Sequence, residues 1–177
     1  MLASKLLHGF AESLRHRINC RGGCFRAGTG SAMYYLWHAK EIGASPDGRR
    51  NGEPFGTNYS PSLLARINGP FSVVQSFTKP NLRETINGGP LTMEFSASVF
   101  QGSDSVHKIA MLVKTFIDMG GHQMQLNAVN TETLLDAQKH PEKYARLVVR
   151  IWGWSAYFVE LDREYQDHVL RRQQYGI

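Results

Sequence analysis

The sequence predicts an α/β chain, and three observations carry that reading. Apolar residues recur at helical spacing in separate segments, as with Val106, Ile109, Val113 and Phe116. Strand-like runs stand between them, among them "GPLTMEFSASVF" and the alternating "HQMQLNAVN". Clusters of Gly, Pro and Asn such as "NGGP" separate the two kinds of segment.

The first 18 residues read as a basic amphipathic helix, with Leu6, Phe10, Leu14 and Ile18 every four positions and Lys5, Glu12, Arg15 and His16 elsewhere. Such a segment resembles a transit peptide, but a stripe packed on a core is the expectation. A Gly-rich loop, "NCRGGCFRAGTGS", leads to a short helical segment, "AMYYLWHAKEIG". The next loop, "ASPDGRRNGEPFGTNYSPS", is too long for a mere connection and reads as an ordered surface or active-site loop. "PFSVVQSFTKP" and "GPLTMEFSASVF" have strand-like content. "SDSVHKIAMLVKTFIDMGG" is a helix with Ser103 or Asp104 as its cap and Gly120 as its stop.

In "HQMQLNAVN", Met124 and Leu126 take one side of a strand and Gln123, Gln125 and Asn127 the other. Those amides either line a pocket or hydrogen-bond to neighbours across a polar sheet face. Asn130 or Thr131 caps a helix that breaks at Pro141, and a buried strand follows. In the tail, Asp162 starts a helix with Leu161, Tyr165 and Val169 on one face.

At 177 residues, with 42% hydrophobic and 20% charged, the chain has enough material for a core. No apolar run approaches the roughly 20 residues that span a bilayer, so no membrane insertion is expected and a cytoplasmic setting is. The net charge of +5 is spread along the chain and forms no nucleic-acid motif. Cys20 and Cys24 are too few for a disulfide framework or a four-Cys zinc site, and the seven His show no HExxH-type spacing. "RAGTGS" lacks the third glycine of a dinucleotide fingerprint and the Gly-Lys-Ser/Thr of a Walker loop.

One position resists this bland account. In "LVVRIWGWSAYFVELDREYQDHV", Gly153 stands between Trp152 and Trp154 inside what reads as two buried strands. Glycine weakens a strand interior, so either a turn needs a positive dihedral there or the chemistry takes place on the glycine itself.

The segment Arg150, Ile151, Trp152, Gly153, Trp154 resembles the carboxy-terminal signature of the glycyl radical enzymes, the pyruvate formate-lyase superfamily, written Arg-Val-x-Gly-Tyr. Here Ile151 stands for Val and Trp154 for Tyr. "ASPDGRRNGEPFG", "DMGGHQMQLNAVNTETLLDAQKHPEKY" and "LVVRIWGW" resemble successive family segments in the right order, so the likeness runs from about Gly28 to the end. The resemblance implies an α/β fold made of the terminal part of a ten-stranded barrel plus a glycine radical domain. Its expected boundaries are 1–27 for the amphipathic helix and loop, 28–119 for the barrel segment and 120–177 for the radical domain.

The same resemblance implies a radical stored on Gly153 within a loop of Arg150, Ile151, Trp152, Trp154 and Ser155. The aromatic residues are expected to shield it. No bound cofactor or metal is implied; the radical is installed by a separate iron–sulfur activating enzyme that uses S-adenosylmethionine, and it passes to a cysteine on a barrel loop. Neither Cys20 nor Cys24 lies in the family's cysteine motif. The expected readings are a carboxy-terminal fragment of an oxygen-sensitive, anaerobic enzyme that is a homo-oligomer when complete, a stand-alone protein that repairs a full-length partner, or a non-catalytic module. Within the superfamily, which includes formate acetyltransferase, "WGW" and "FVELDREYQDH" look nearest to fumarate-adding enzymes or arylacetate decarboxylases.

Overall fold

The computed structural model describes residues 2–31, 33–172, 174 and 175. Helix α1 spans Leu2–Arg15, α2 Tyr34–Trp37, α3 Pro70–Phe77, α4 Ser105–Asp118, α5 Thr131–Lys139 and α6 Arg163–Arg171. The strands are β1 Leu91–Ser96, β2 Met124–Val129, β3 Val148–Arg150, β4 Ser155–Tyr157 and β5 Gln174–Tyr175. No described helix is long and apolar enough to cross a membrane.

Among the described residues, β2, β1 and β5 form a parallel sheet with β1 in the middle. Helix α4 connects β1 to β2, the crossover that parallel pairing requires. Because β1 is covered on both faces, Leu91 through Phe95 are all buried, polar residues included. The side-chain alternation of a strand then divides them. Leu91, Met93 and Phe95 join Val73, Val74, Phe77, Leu112 and Phe116 in one core, while Thr92 and Glu94 face the other way. A second core gathers Tyr35, Leu36, Leu134, Ile151, Trp152, Phe158, Tyr165 and Val169. Both cores draw residues from each side of residue 120, since Tyr175 lies in the first and Tyr35 in the second.

The long loop is ordered around one side chain. Arg49 is 4% exposed and spends all its donors within the loop. Its Nε donates to Ser45 Oγ at 3.2 Å, Nη1 to the carbonyls of Arg50 (3.2 Å) and Glu53 (2.9 Å), and Nη2 to those of Ile42 and Gly43. The guanidinium also lies 4.3 Å from the centre of the Phe55 ring. The "RAGTGS" glycine has a packing reason as well. A Cβ on Gly28 would lie 2.3 Å from the Asn87 carbonyl oxygen, so the two backbones approach closely there.

Four expectations are corrected. "PFSVVQSFTKP" is a helix, because Pro70 sits at its first position, where its missing N–H costs nothing, and Val73, Val74 and Phe77 then share a face. On α4 the buried residues are Ser105, Leu112 and Phe116, so Val106 is exposed, and Asp104 makes no side-chain cap. Helix α1 buries Leu7 and Ala11 and leaves Leu6 and Phe10 to solvent, while Ile18 lies past its end. Asp162 precedes α6 as expected, but its backbone carbonyl, rather than its side chain, accepts the bonds from Tyr165 and Gln166. Asn130 caps α5 as read, its Oδ1 accepting from the Thr133 N–H at 3.1 Å.

Two predictions follow from these packing arrangements. Replacing Arg49 by Met leaves several loop carbonyls without a donor and is expected to cost about 3 kcal/mol, with Lys recovering only part because it lacks the fork; urea unfolding and proteolysis within 42–56 measure this. His168, with its ring centre 4.7 Å from that of Tyr35, has its pKa pushed from 6.5 down to about 3, chiefly by burial and then by Arg172 and Arg171. The unfolded chain takes that proton more readily than the folded one. Stability is therefore full above pH 6.5 and falls toward pH 3 by up to about 1.4 kcal/mol per pH unit, a slope that His168→Phe should flatten in denaturant titrations across pH.

Candidate functional site

Gly153 occupies the tip of a β-hairpin. Strands β3 and β4 pair antiparallel with Val148 opposite Tyr157, Val149 opposite Ala156 and Arg150 opposite Ser155. The Ile151 N–H donates to the Trp154 carbonyl at 2.9 Å, so Trp152 and Gly153 alone make the turn. Gly153 has φ 76°, the sign a type II turn demands at its third position. A Cβ added there would meet nothing within 4 Å, so the local requirement for glycine is conformational rather than steric.

The hairpin has a buried root and an open tip. Ile151 is fully buried and Trp152 is 8% exposed, both in the second core, where Trp152 meets Tyr35 edge to face at 5.8 Å. Trp154 is half-buried against the same core, while Gly153, Arg150 and Ser155 are exposed. The expected buried strand pair is thus corrected, since Val148 and Tyr157 are exposed as well. So is the expected aromatic shield, because Trp152 turns inward to anchor the root instead of covering the Gly153 α-carbon. A three-residue ribbon projecting from a core has only one end in contact with it.

Polar groups then tie this root to the sheet. Arg172, just beyond α6, donates from Nη1 to Glu94 Oε1 at 2.8 Å and to the Arg150 carbonyl at 3.0 Å, and from Nη2 to the Ile151 carbonyl at 3.3 Å. Its guanidinium sits 4.6 Å from the centre of the Trp152 ring. On the other side, Arg150 Nε donates to Gln125 Oε1 at 3.2 Å and Nη1 to Ser155 Oγ at 3.1 Å. Gln125 Nε2 donates to Asn127 Oδ1, and Asn127 Nδ2 to Glu94 Oε1 at 2.9 Å. The β2 amides at Gln125 and Asn127 therefore bond to neighbours on a polar sheet face.

Beneath Trp152 lies a cavity of about 40 Å³, bounded by Thr92, Glu94, His168, Arg172 and Tyr175 among others. Among the described residues no group of three or more His, Cys, Asp or Glu stands together as a metal site, and Cys20 and Cys24 are exposed free thiols. Sequence reasoning missed Glu94 and Arg172. A carboxylate inside "LTMEF", with strand-like neighbours on both sides, is the signal that a buried cation must meet it.

A family model described as "Glycine radical" matches residues 55–159, more than half of the chain and including the whole hairpin. The trans-4-hydroxy-L-proline dehydratase of Clostridioides difficile is 31% identical over 171 residues, 97% of this chain and 22% of that protein. The indoleacetate decarboxylase of Tractidigestivibacter scatoligenes is 34% identical over 139 residues, 78% of this chain and 16% of that protein. Among solved structures, the B12-independent glycerol dehydratase from Clostridium butyricum superposes with a TM-score of 0.94 at 30% identity, covering 99% of this chain and 22% of that one. The match thus falls on one limited portion of much longer proteins. With its fold shared along nearly its full length and more than half of its residues within the family model, this chain belongs to the glycine radical family of the glycyl radical enzymes.

Proposed function

We propose that Gly153 is where this chain stores a carbon-centred radical, as the glycine radical portion of a lyase-type glycyl radical enzyme. The observation that carries this reading is the glycine at the exposed tip of a hairpin with an anchored root, inside the span that matches the family. Loss of a hydrogen atom from its α-carbon leaves an unpaired electron shared with the adjacent amide nitrogen and carbonyl. That planar centre suits the one residue without a side chain. An open tip also gives a separate activating enzyme access to the α-carbon.

The wider reading follows the family. A radical from S-adenosylmethionine, formed on the activase iron–sulfur centre, takes the hydrogen atom, and the glycyl radical later takes one from a cysteine elsewhere in the working enzyme. Residues 28–119 then serve as barrel and 120–177 as radical domain. The setting is cytoplasmic, anaerobic and oxygen-sensitive, and the complete enzyme is a homo-oligomer. Exposed apolar residues on α1 and α4, such as Leu6 and Val106, favour a chain that docks into a larger body. For the substrate, the two dehydratases favour radical elimination and the indoleacetate decarboxylase favours carboxylate loss; fumarate addition and formate acetyltransferase chemistry rank behind both. A protein that restores an oxygen-damaged full-length partner is the second reading, and the same exposed faces suit such docking.

Anaerobic incubation with a matching activase and S-adenosylmethionine is expected to produce an organic radical with one large hydrogen splitting, absent in Gly153→Ala. Air should then cut the activated chain near Gly153, releasing a piece that ends at Ile177, visible by mass spectrometry, while unactivated protein stays whole. Cys20→Ser and Cys24→Ser should alter neither event. A radical that survives Gly153→Ala, or cleavage elsewhere, would refute the assignment.

A further inference from the structure

We propose that Arg172 is the positioning residue of the Gly153 hairpin, acting through a closed polar ring that runs from Glu94 through Asn127 and Gln125 to Arg150 and back. Its consequence for the radical rests on the reading above, whereas its consequence for the hairpin does not. The need for such a device follows from size. Two strands of three residues make a ribbon with marginal stability of its own, so its direction is set from outside.

Packing of Ile151 and Trp152 holds the root in the core, yet apolar contact is non-directional. The ring supplies direction. Arg172 grips two successive carbonyls of the hairpin, Arg150 and Ile151, and also stacks on Trp152. The same guanidinium is held by Glu94 on the central strand, and the two side chains are 6% and 5% exposed. Asn127 bonds to that same carboxylate oxygen and passes the constraint through Gln125 to the Arg150 side chain. Arg150 is thereby fixed by its backbone and by its side chain at once, three residues before Gly153. The links come from β1, β2, β3 and the segment after α6, and apart from the Gln125–Asn127 pair on one face of β2 no local sequence rule accounts for their convergence.

Hydrogen exchange on the full 177-residue chain tests this. Arg172→Met keeps an unbranched side chain over Trp152 and removes the donors. Exchange in a peptide covering 148–157 should then rise about tenfold or more beyond whatever rise α4, on the opposite face of the sheet, shows from lost overall stability. Arg172→Lys should fall between wild type and Met, since one ammonium cannot serve Glu94 and both carbonyls together. Glu94→Gln, nearly the same shape, and Gln125→Ala should raise hairpin exchange by smaller factors, and they decide the matter if Arg172→Met fails to fold. Unchanged hairpin exchange, or an equal rise in α4, would overturn the proposal. In activated samples, the glycyl radical signal per chain should drop several-fold in Arg172→Met and recover in part in Arg172→Lys; an undiminished signal would limit the ring to fold stability and so overturn the positioning role. If the wild-type chain forms no radical, the Gly153 assignment fails and exchange alone judges the ring.

Discussion

The ion pair between Glu94 and Arg172 is the constraint on which the arrangement of this protein turns. Glu94 sits in the middle of the central strand, at a position the pleat directs away from the Leu91–Met93–Phe95 core. A lone carboxylate buried there would be costly, and a lone guanidinium equally so. Each makes the other tolerable, and in doing so they join the strand to the segment after α6. A buried pair of this kind adds little net stability over a well-packed apolar pair, but removing one partner typically costs about 3–5 kcal/mol. It supplies direction. The two terminal nitrogens of the guanidinium also find acceptors on the hairpin carbonyls, while Nε is buried without a partner.

That geometry suits both the structural role of one glycine and the chemical role proposed for it. A turn closing a two-residue hairpin accepts Gly153 for its positive φ, and this requirement holds with or without radical chemistry. The proposed radical would add an electronic requirement at the same α-carbon. A hairpin tip meets both, because it projects the backbone away from side chains while its root stays anchored. The inward turn of Trp152 belongs to this division of labour: its indole strengthens the root and leaves the tip free of the bulky groups that flank it in sequence.

The rest of the molecule shows the same contrast between an ordered interior and an exterior with exposed apolar residues. Arg49 orders a long loop by satisfying carbonyls that no secondary structure would satisfy. Around that interior, Leu2, Leu6, Ile18 and Val106 expose apolar surface. The related proteins are several times as long as this chain.

By itself the sequence determined the α/β class, the helix stop at Gly120, a cap at Asn130 or Thr131, the two sides of β2 and the family. These are legible because they depend on residues adjacent in the chain or one period apart: a cap lies beside its helix, a strand alternates every second residue, and a family signature is contiguous. Only the tertiary structure decided that "PFSVVQSFTKP" is helical, that α1 turns Leu7 rather than Leu6 inward, and that Gly153 stands in the open. It alone brought Glu94 to Arg172 across 78 positions of sequence. Apolar content states that a segment is buried without stating against what, and a charge in a buried strand announces a partner without naming it. The partner is chosen by chain crossings that bring distant segments together, and no local period records them.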